Sequence, residues 1–534
     1  MSRLVDALTE ASAYPHPVDT VQVEQTHISW VFLAGDFAYK IKKPVNFGFL
    51  DYSTLEKRRF YCEEEVRLNR RLAPDVYIGV VPVTQQGGDT RMDGEGEVVE
   101  YAVKMRRLSA ARMLDRLLEA GRVQASDIRR LAEVIAGFHA SADRGPRVAE
   151  FGSPSVIRAN WLENFEQVQP FVGSSIEQGQ LDACHSFVQR SLERQAGVFE
   201  ARLRAGRIRD CHGDLRSESI WMADDGRFEI FDCIEFNERF RYGDVASEVA
   251  FLASDFDWRG RPDLAWLWTE RYIGASADEG LRAVSAFYKC YRAFVRGKVE
   301  SFAYRERDFH PREARGHLAA ARQHFALAAL YAVPLAPVLL LTCGEVGSGK
   351  TSLARALGSL LGLPVLSSDV VRKELAGLHA GEHRPAEPDS GLYTPDMSRK
   401  TYAELRRRSE EQLRAGKGAV VDASFSRKDE RAALIELARE VDVPYVVLGV
   451  TAPPQLIRER ILGRGADADN PSDADLKIYE LKRSSFEPPT EVPAGHFWRE
   501  DTSRPLGEVA LATAQAIGRS FDVEKALPSH LRVV

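Results

Sequence analysis

The sequence predicts two domains of different class: an α+β, bilobal domain, then an α/β domain built on a parallel sheet. Three observations carry this. The 534 residues exceed what one hydrophobic core organises. The first hundred residues are strand-rich with one helix, and helical patterns then dominate to residue 332. Finally, "YAVPLAPVLLLTCGEVGSGK" (331–350) changes the character of the chain. Pro334 and Pro337 end a helix there, and Val338–Cys343 is a short, wholly apolar strand of the buried parallel type. The expected domains are 1–335, with a small lobe over about 20–108 and a large lobe over about 109–332, and 336–534.

Residues 20–50 alternate, and "ISWVFLAGDFAYKIKKP" (28–44) reads as two strands about the turn Ala34-Gly35-Asp36. From Ser53 to Leu72 the apolar period becomes helical, placing Leu55, Tyr61 or Cys62, Val66, and Leu68 or Leu72 near one face. "VYIGVVPV" and "GEVVEYAVKMRRL" form a second strand pair across the polar turn "QQGGDTRMDGEG". Residues 109–205 are helical in pattern, 206–236 bring short strands and turns, and helices resume over 243–332.

Composition narrows the function. Charged residues make up 28% and the hydrophobic set 44%, with net charge −6, as in ordinary globular proteins. No Lys/Arg block asks for a nucleic-acid partner. The six cysteines form no Cys-x-x-Cys pair, which fits reduced thiols rather than a disulfide frame or a zinc site. The start lacks an apolar signal region and no apolar run is long enough for a membrane span, so a cytoplasmic protein is expected.

"GEVGSGKT" (344–351) matches G-x-x-x-x-G-K-[ST] between a buried strand and an amphipathic helix. Gly344, Gly347 and Gly349 let backbone N–H groups converge on phosphate oxygens beside the positive end of the helix, with Ser348 and Ser352 completing the set. Lys350 would neutralise the β/γ-phosphates, and the Thr351 hydroxyl would ligate Mg²⁺. "KGAVVDASF" (417–425) is a second buried strand ending in Asp422, the expected second magnesium anchor. Asp369 and Arg372, in "LSSDVVRKEL", would face an acceptor groove, although Asp369 also reads as a helix cap. Arg460 and Arg464 share a helical face before a polar loop, either as lid arginines or as a solvated face. Residues 338–520 resemble a small P-loop kinase of the gluconate-kinase and zeta-toxin type, an AAA-like ATPase domain.

The first half carries "CHGDLRSESIWM" (211–222), followed by "FEIFDCIEF" (228–236), a strand ending in Asp232. Upstream, "FAYKIKKP" offers Lys40, with Lys42 as the alternative on the same face, and "CEEEVRLNRRL" offers Glu65 as an ion-pair partner, with Glu63 and Glu64 close enough to compete. Together these resemble the aminoglycoside phosphotransferase and choline-kinase branch of the protein-kinase-like fold over residues 20–330. The resemblance implies that Asp214 orients the acceptor hydroxyl, Lys40 grips the α/β-phosphates, Asp232 chelates Mg²⁺ and Arg216 steadies the γ-phosphate. Asp244 and Glu248 fall where that branch has further acids, read as structural. The chain departs from the pattern twice: no glycine-rich loop precedes Lys40, and Ser219 replaces an Asn, a weaker ligand for a second metal.

The expected function is an ATP-dependent phosphotransferase with two fused ATP-binding domains. It would use Mg²⁺ and pass the γ-phosphoryl group to a small-molecule hydroxyl acceptor. One alternative is an ATP-binding regulatory protein whose kinase-like half is inactive and senses a ligand. Another is a toxin-like P-loop kinase acting on a nucleotide sugar.

Overall fold

The computed structural model describes residues 2–305, 311–378, 394–463, 479–480, 483 and 485–522. Packing divides the chain into two compact units. One comprises Met1–Val123, Val134–Ile157 and Phe199–Leu252; the other comprises Gln124–Glu133, Arg158–Val198 and Ala253–Val534.

The first unit is built on a six-stranded antiparallel sheet of order β1-β2-β3-β6-β4-β5. Its strands are β1 (Val21–Gln25), β2 (Ser29–Ala34), β3 (Phe37–Lys42), β4 (Tyr77–Gln86), β5 (Asp89–Met92) and β6 (Glu97–Arg106). The expected hairpin about Ala34–Asp36 is β2–β3, with Ala34 opposite Phe37. The polar stretch expected as a turn holds β5, because Asp89 to Met92 finds a partner edge in β4. Helix α1 (Leu55–Asn69) starts where Thr54 accepts the Lys57 N–H. It buries Cys62 and Val66 against Val103 and Tyr77, while Phe32, Tyr39 and Ile41 pack on the opposite face of the sheet. Lys40 and Lys42 therefore project from the α1 face of β3, between sheet and helix, since side chains two apart share a face.

The remaining strands of this unit pair in short ladders: β7 (Ile208–Asp210) with β10 (Tyr242–Asp244), and β8 (Ile220–Met222) with β9 (Phe228–Ile230). Helix α2 (Ala125–Ser141) supplies His139, and α3 (Val245–Trp258) supplies Glu248.

The second unit holds a five-stranded parallel sheet of order β12-β13-β11-β14-β15. These are β11 (Leu339–Cys343), β12 (Val365–Ser367), β13 (Ala419–Asp422), β14 (Tyr445–Thr451) and β15 (Phe497–Asp501). Strands β11 and β13 are buried along their whole length and mostly apolar, as in a parallel sheet covered on both faces. Leu339, Leu341 and Val421 form one core with Leu405, Leu434 and Leu437. The chemistry-bearing segments leave the carboxyl ends of the strands, where open α/β sheets bind ligands.

The packing join does not fall at 335/336. Helices α4 (Leu281–Arg305) and α5 (Pro311–Tyr331) belong with the P-loop helix, α6 (Lys350–Leu361). Lys289 lies 2.5 Å from Asp257 and donates to the Ser359 carbonyl at 2.7 Å and its hydroxyl at 2.9 Å. The Ser359 hydroxyl donates to Asp257 at 3.1 Å, and Tyr331 donates to the same carboxylate at 2.6 Å. Burial lowers the Lys289 pKa and Asp257 opposes that shift. Helices expected to serve only the first domain are thus fastened to the helix that carries Lys350.

Candidate functional site

In the first unit, Lys40 sits between two carboxylates. Its ammonium is 2.9 Å from Glu65 Oε1 and 2.7 Å from Asp232 Oδ1. Burial opposes its charge, but Asp232, Glu65 and Glu235 outweigh burial and hold it well above the ordinary lysine value. Lys42 does not compete for that place. It is fully buried, 2.7 Å from Glu65 Oε2 and paired with Glu235, which also accepts the Tyr52 hydroxyl at 2.5 Å. Glu65, itself buried, is kept ionised by both lysines against the cost of burial. The two lysines left open by sequence therefore divide the work: Lys40 reaches Asp232, and Lys42 braces Glu65.

Asp232 adopts a left-handed backbone conformation, φ 64°, which Asp tolerates better than most residues. Its N–H donates to the Tyr77 hydroxyl at 3.2 Å, and the next N–H, of Cys233, donates to Asn69 at 2.8 Å. The carboxylate stays 56% exposed.

The loop after β7 is held by one acid. Glu248 accepts the N–H of His212 at 3.0 Å and of Gly213 at 2.6 Å, and it meets His139 Nε2 at 2.7 Å. Burial would raise its pKa, but these partners win and take it down to about 2. His212 Nε2 donates to the Phe231 carbonyl at 3.0 Å while Nδ1 accepts the Asp214 N–H at 3.4 Å, the arrangement of a neutral ring. Burial lowers its pKa accordingly.

Asp214 receives two bonds from Arg216, both 3.1 Å, and Arg216 also pairs with Glu218 at 2.6 Å. Ser219, offered by the sequence as a metal ligand, turns inward. Its hydroxyl lies 2.8 Å from the Arg216 carbonyl and 3.2 Å from the Asp214 carbonyl, and accepts the Arg216 N–H at 3.2 Å. Without the glycine loop, the β1–β2 turn is closed by Thr26, whose hydroxyl accepts the N–H of Ser29 at 3.0 Å.

In the second unit the loop 344–349 runs from β11 into α6. Gly344 has φ 154°, and a Cβ there would stand 2.3 Å from the Val450 carbonyl oxygen. A Cβ on Gly349, φ 92°, would stand 3.1 Å from the Thr502 hydroxyl. Gly347 also takes positive φ, 83°. Lys350 opens α6 and donates to the Glu345 carbonyl at 2.7 Å, across the loop. The Ser348 hydroxyl is buried with no hydrogen-bond partner among the described residues. Such a donor in a backbone cradle fits a phosphate oxygen. The Thr351 hydroxyl stands near the Asp422 carboxylate. Burial raises the Asp422 pKa, Lys350 and Thr351 pull it back, and nearby Asp369 pushes it further up. Thr351 with Asp422 is a hydroxyl and carboxylate pair of the kind that holds Mg²⁺. Ser352, on the exposed side of α6, makes none of the bonds described here.

Asp369 lies in the first turn of α7 (Ser368–Leu375) and pairs with Arg372 at 2.8 Å. Arg460, in α10 (the helix Pro454–Gly463, after α8, Pro395–Arg414, and α9, Lys428–Glu440), holds a loop rather than projecting into a groove. It donates to the Thr502 carbonyl at 2.6 Å and hydroxyl at 3.0 Å, and Thr502 donates to the Ser348 carbonyl at 2.7 Å. Arg464 lies outside the described residues. A cavity of about 520 Å³ opens beside the loop, lined by Glu345, Ser348, Val450, Phe486 and Phe497 among others.

Sequence reasoning missed Glu235, Tyr77 and Thr502, and gave Glu248 only a general structural role. Glu235 follows Asp232 by three residues, which was its one available signal.

Residues 339–489 match an AAA domain. The chain is 32% identical over 469 residues to the uncharacterized protein Rv2004c of Mycobacterium tuberculosis, covering 87% of this chain and 90% of that protein. The uncharacterized protein Mb2027c of Mycobacterium bovis matches with the same identity and coverage. Among solved structures, aminoglycoside 2'-phosphotransferase-IIIa with GDP aligns with 61% of this chain and 99% of its own, at 14% identity and TM-score 0.39. A gluconokinase from Sinorhizobium meliloti 1021 aligns with 34% of this chain and 95% of its own, at 19% identity and TM-score 0.25.

Proposed function

The chain belongs to the family of these mycobacterial proteins, and from the geometry of its own two sites we propose that it is an ATP-dependent phosphotransferase acting in the cytoplasm. Residues 1–335 carry the transfer site and residues 336–534 a second nucleotide site. The acceptor is a small molecule with a hydroxyl group. The observation that supports this best is Lys40 held between Glu65 and Asp232. That is an ion pair plus a metal-ready carboxylate, the pairing phosphoryl transfer requires.

In the first site Lys40 binds the α/β-phosphates, and Glu65, braced by Lys42, keeps the ammonium in place. Asp214 accepts the proton of the acceptor hydroxyl as its oxygen bonds the γ-phosphorus and the bond to the leaving ADP oxygen breaks. Arg216 orients that carboxylate. Asp232 fits a Mg²⁺ ligand because its carboxylate is open; Ser219 does not, because its hydroxyl is engaged by the loop backbone. Bound Mg²⁺ supplies charge neutralisation on the phosphates. In the second site the 344–349 backbone, Ser348 and Lys350 bind phosphates, and Thr351 and Asp422 would hold the metal. Asp369 stands toward an acceptor, while Arg460 positions the Thr502 loop against the cradle.

One observation favours the regulatory reading: both Asp214 oxygens are bonded by Arg216. Calorimetry of ATP binding to the full-length protein tests whether the first site holds a nucleotide at all. Two ATP per chain, one lost in Lys40→Ala and the other in Lys350→Ala, is the expected result. One ATP per chain, lost entirely in Lys350→Ala, would remove the first site from the proposal.

A further inference from the structure

The turn between β3 and α1 displays two phenylalanines where a folded chain would ordinarily hide them. Phe47 and Phe49 are each 49% exposed. The turn itself is well built: Phe47 N–H donates to the Leu50 carbonyl at 2.9 Å, Gly48 N–H to the Asn46 side chain at 2.9 Å, and Tyr52 N–H to the Val45 carbonyl at 2.8 Å. Gly48 takes φ 82° at its tip. The rings continue onto the segment after Asp232. Phe47 stacks on Phe49 with centroids 6.1 Å apart, and Phe49 meets Phe236 at 6.2 Å and Phe240 at 6.0 Å. Phe236 and Phe240 lie 6.3 Å apart, edge to face.

This shelf is tied to the transfer site. Asn237 donates to the Phe49 carbonyl at 2.9 Å, and Tyr52, at the end of the turn, donates to Glu235. The segment bearing Phe236 and Phe240 runs along the catalytic loop: Ile234 N–H donates to the His212 carbonyl at 3.1 Å, and Cys211 N–H to the Arg241 carbonyl at 3.1 Å. A Cβ on Gly213 would stand 2.9 Å from the Phe240 carbonyl oxygen. The loop that bears Asp214 and the segment that bears Phe236 and Phe240 therefore run side by side. Among the described residues, the bordering carboxylates Glu238 and Asp51 are already paired, with Arg147 and Lys57, which leaves neither free to recognise a cation.

We propose that Phe47, Phe49, Phe236 and Phe240 form the acceptor platform, and that the acceptor is an uncharged alcohol with a flat, aromatic body. This rests on the transfer-site reading above. Tilted and offset rings offer faces and edges on which another ring packs favourably, beyond the apolar area it buries. A contiguous exposed apolar patch of this kind marks a binding surface in a soluble protein.

The test uses the full-length protein and calorimetric titration with 2-naphthalenemethanol, benzyl alcohol and choline, without nucleotide. The expected result is that 2-naphthalenemethanol binds most tightly and choline most weakly. Phe49→Ala should weaken the naphthyl probe about tenfold, and Phe49→Leu, which keeps apolar volume but loses the ring, should weaken it nearly as much. Phe60→Ala, an exposed phenylalanine elsewhere on α1, should leave it unchanged. Melting temperature checks that each variant is folded. Absence of binding by both aryl alcohols, tighter binding of choline, or equal loss in Phe60→Ala would overturn the proposal. So would a shelf whose loss alters only self-association on gel filtration. Binding that depends on Phe49 in a protein that never transfers phosphate would instead retain the platform and reject the kinase reading.

Discussion

The two candidate sites are built in opposite ways. In the first unit, five side chains (Lys40, Lys42, Glu65, Asp232 and Glu235) neutralise one another in a largely buried net. In the second, the chain itself makes the site: glycines at positive φ bend the backbone, and Lys350 bonds a carbonyl of its own loop. A side-chain net ought to fail as a unit when one charge is removed and to respond to pH. A backbone cradle ought to keep its stability when a side-chain charge is removed, but not accept a Cβ.

The largest expected effect breaks the net. Glu65→Gln leaves two buried ammoniums short of a partner, and loss of one member of a buried pair costs about 3–5 kcal/mol. Denaturant unfolding of the full-length protein should show an early transition of about that size, with the P-loop unit's own transition unmoved. Equal loss from both transitions would mean that the sites do not differ in this way.

pH sharpens the contrast through its sign. The folded pKa of Glu248 lies below its ordinary 4.5, so its stabilisation is complete above 4.5 and is lost as pH falls through about 2. Asp422 is shifted upward from 3.8, so the folded state is favoured below that value and loses this contribution as pH rises through the raised pKa. Acid unfolding below pH 4.5 should flatten in Glu248→Gln, whereas Asp422→Asn should gain relative stability toward neutral pH. Same-sign changes in the two variants would contradict the assignment.

A smaller effect tests the cradle. Gly344→Ala forces a Cβ against the Val450 carbonyl at a φ that side chains rarely adopt, a strain of about 1–3 kcal/mol. It should weaken nucleotide binding at the second site alone. The smallest concerns Ser219, whose hydroxyl fastens the catalytic loop. Ser219→Ala should cost about 1 kcal/mol of stability and leave the magnesium requirement of transfer unchanged. A raised magnesium requirement would return Ser219 to the metal.

What the sequence revealed follows the same division. The P-loop was legible because backbone geometry dictates glycines and Lys350 at fixed spacing. Asp214, Asp232 and Lys40 were legible because each stands in a short motif. Glu235 was not, since it meets Lys42 across 193 positions and no local pattern records that pairing. Arg460 read as a lid residue because its partner, Thr502, lies 42 positions away on another strand end. Strand β5 was hidden by polar residues that become a strand only beside β4. The packing join was hidden because Pro334 and Pro337 mark where a helix ends, not which core it joins.

Whether the first site transfers phosphate is measured directly as γ-phosphoryl transfer from ATP by the full-length protein to a panel of sugars, amino alcohols and aryl alcohols, comparing wild type with Asp214→Asn. Transfer to at least one acceptor is expected, reduced about 10²–10⁴-fold by Asp214→Asn with two ATP still bound per chain. No transfer to any acceptor, together with ATP turnover that Asp214→Asn leaves unchanged, would contradict the transfer-site reading.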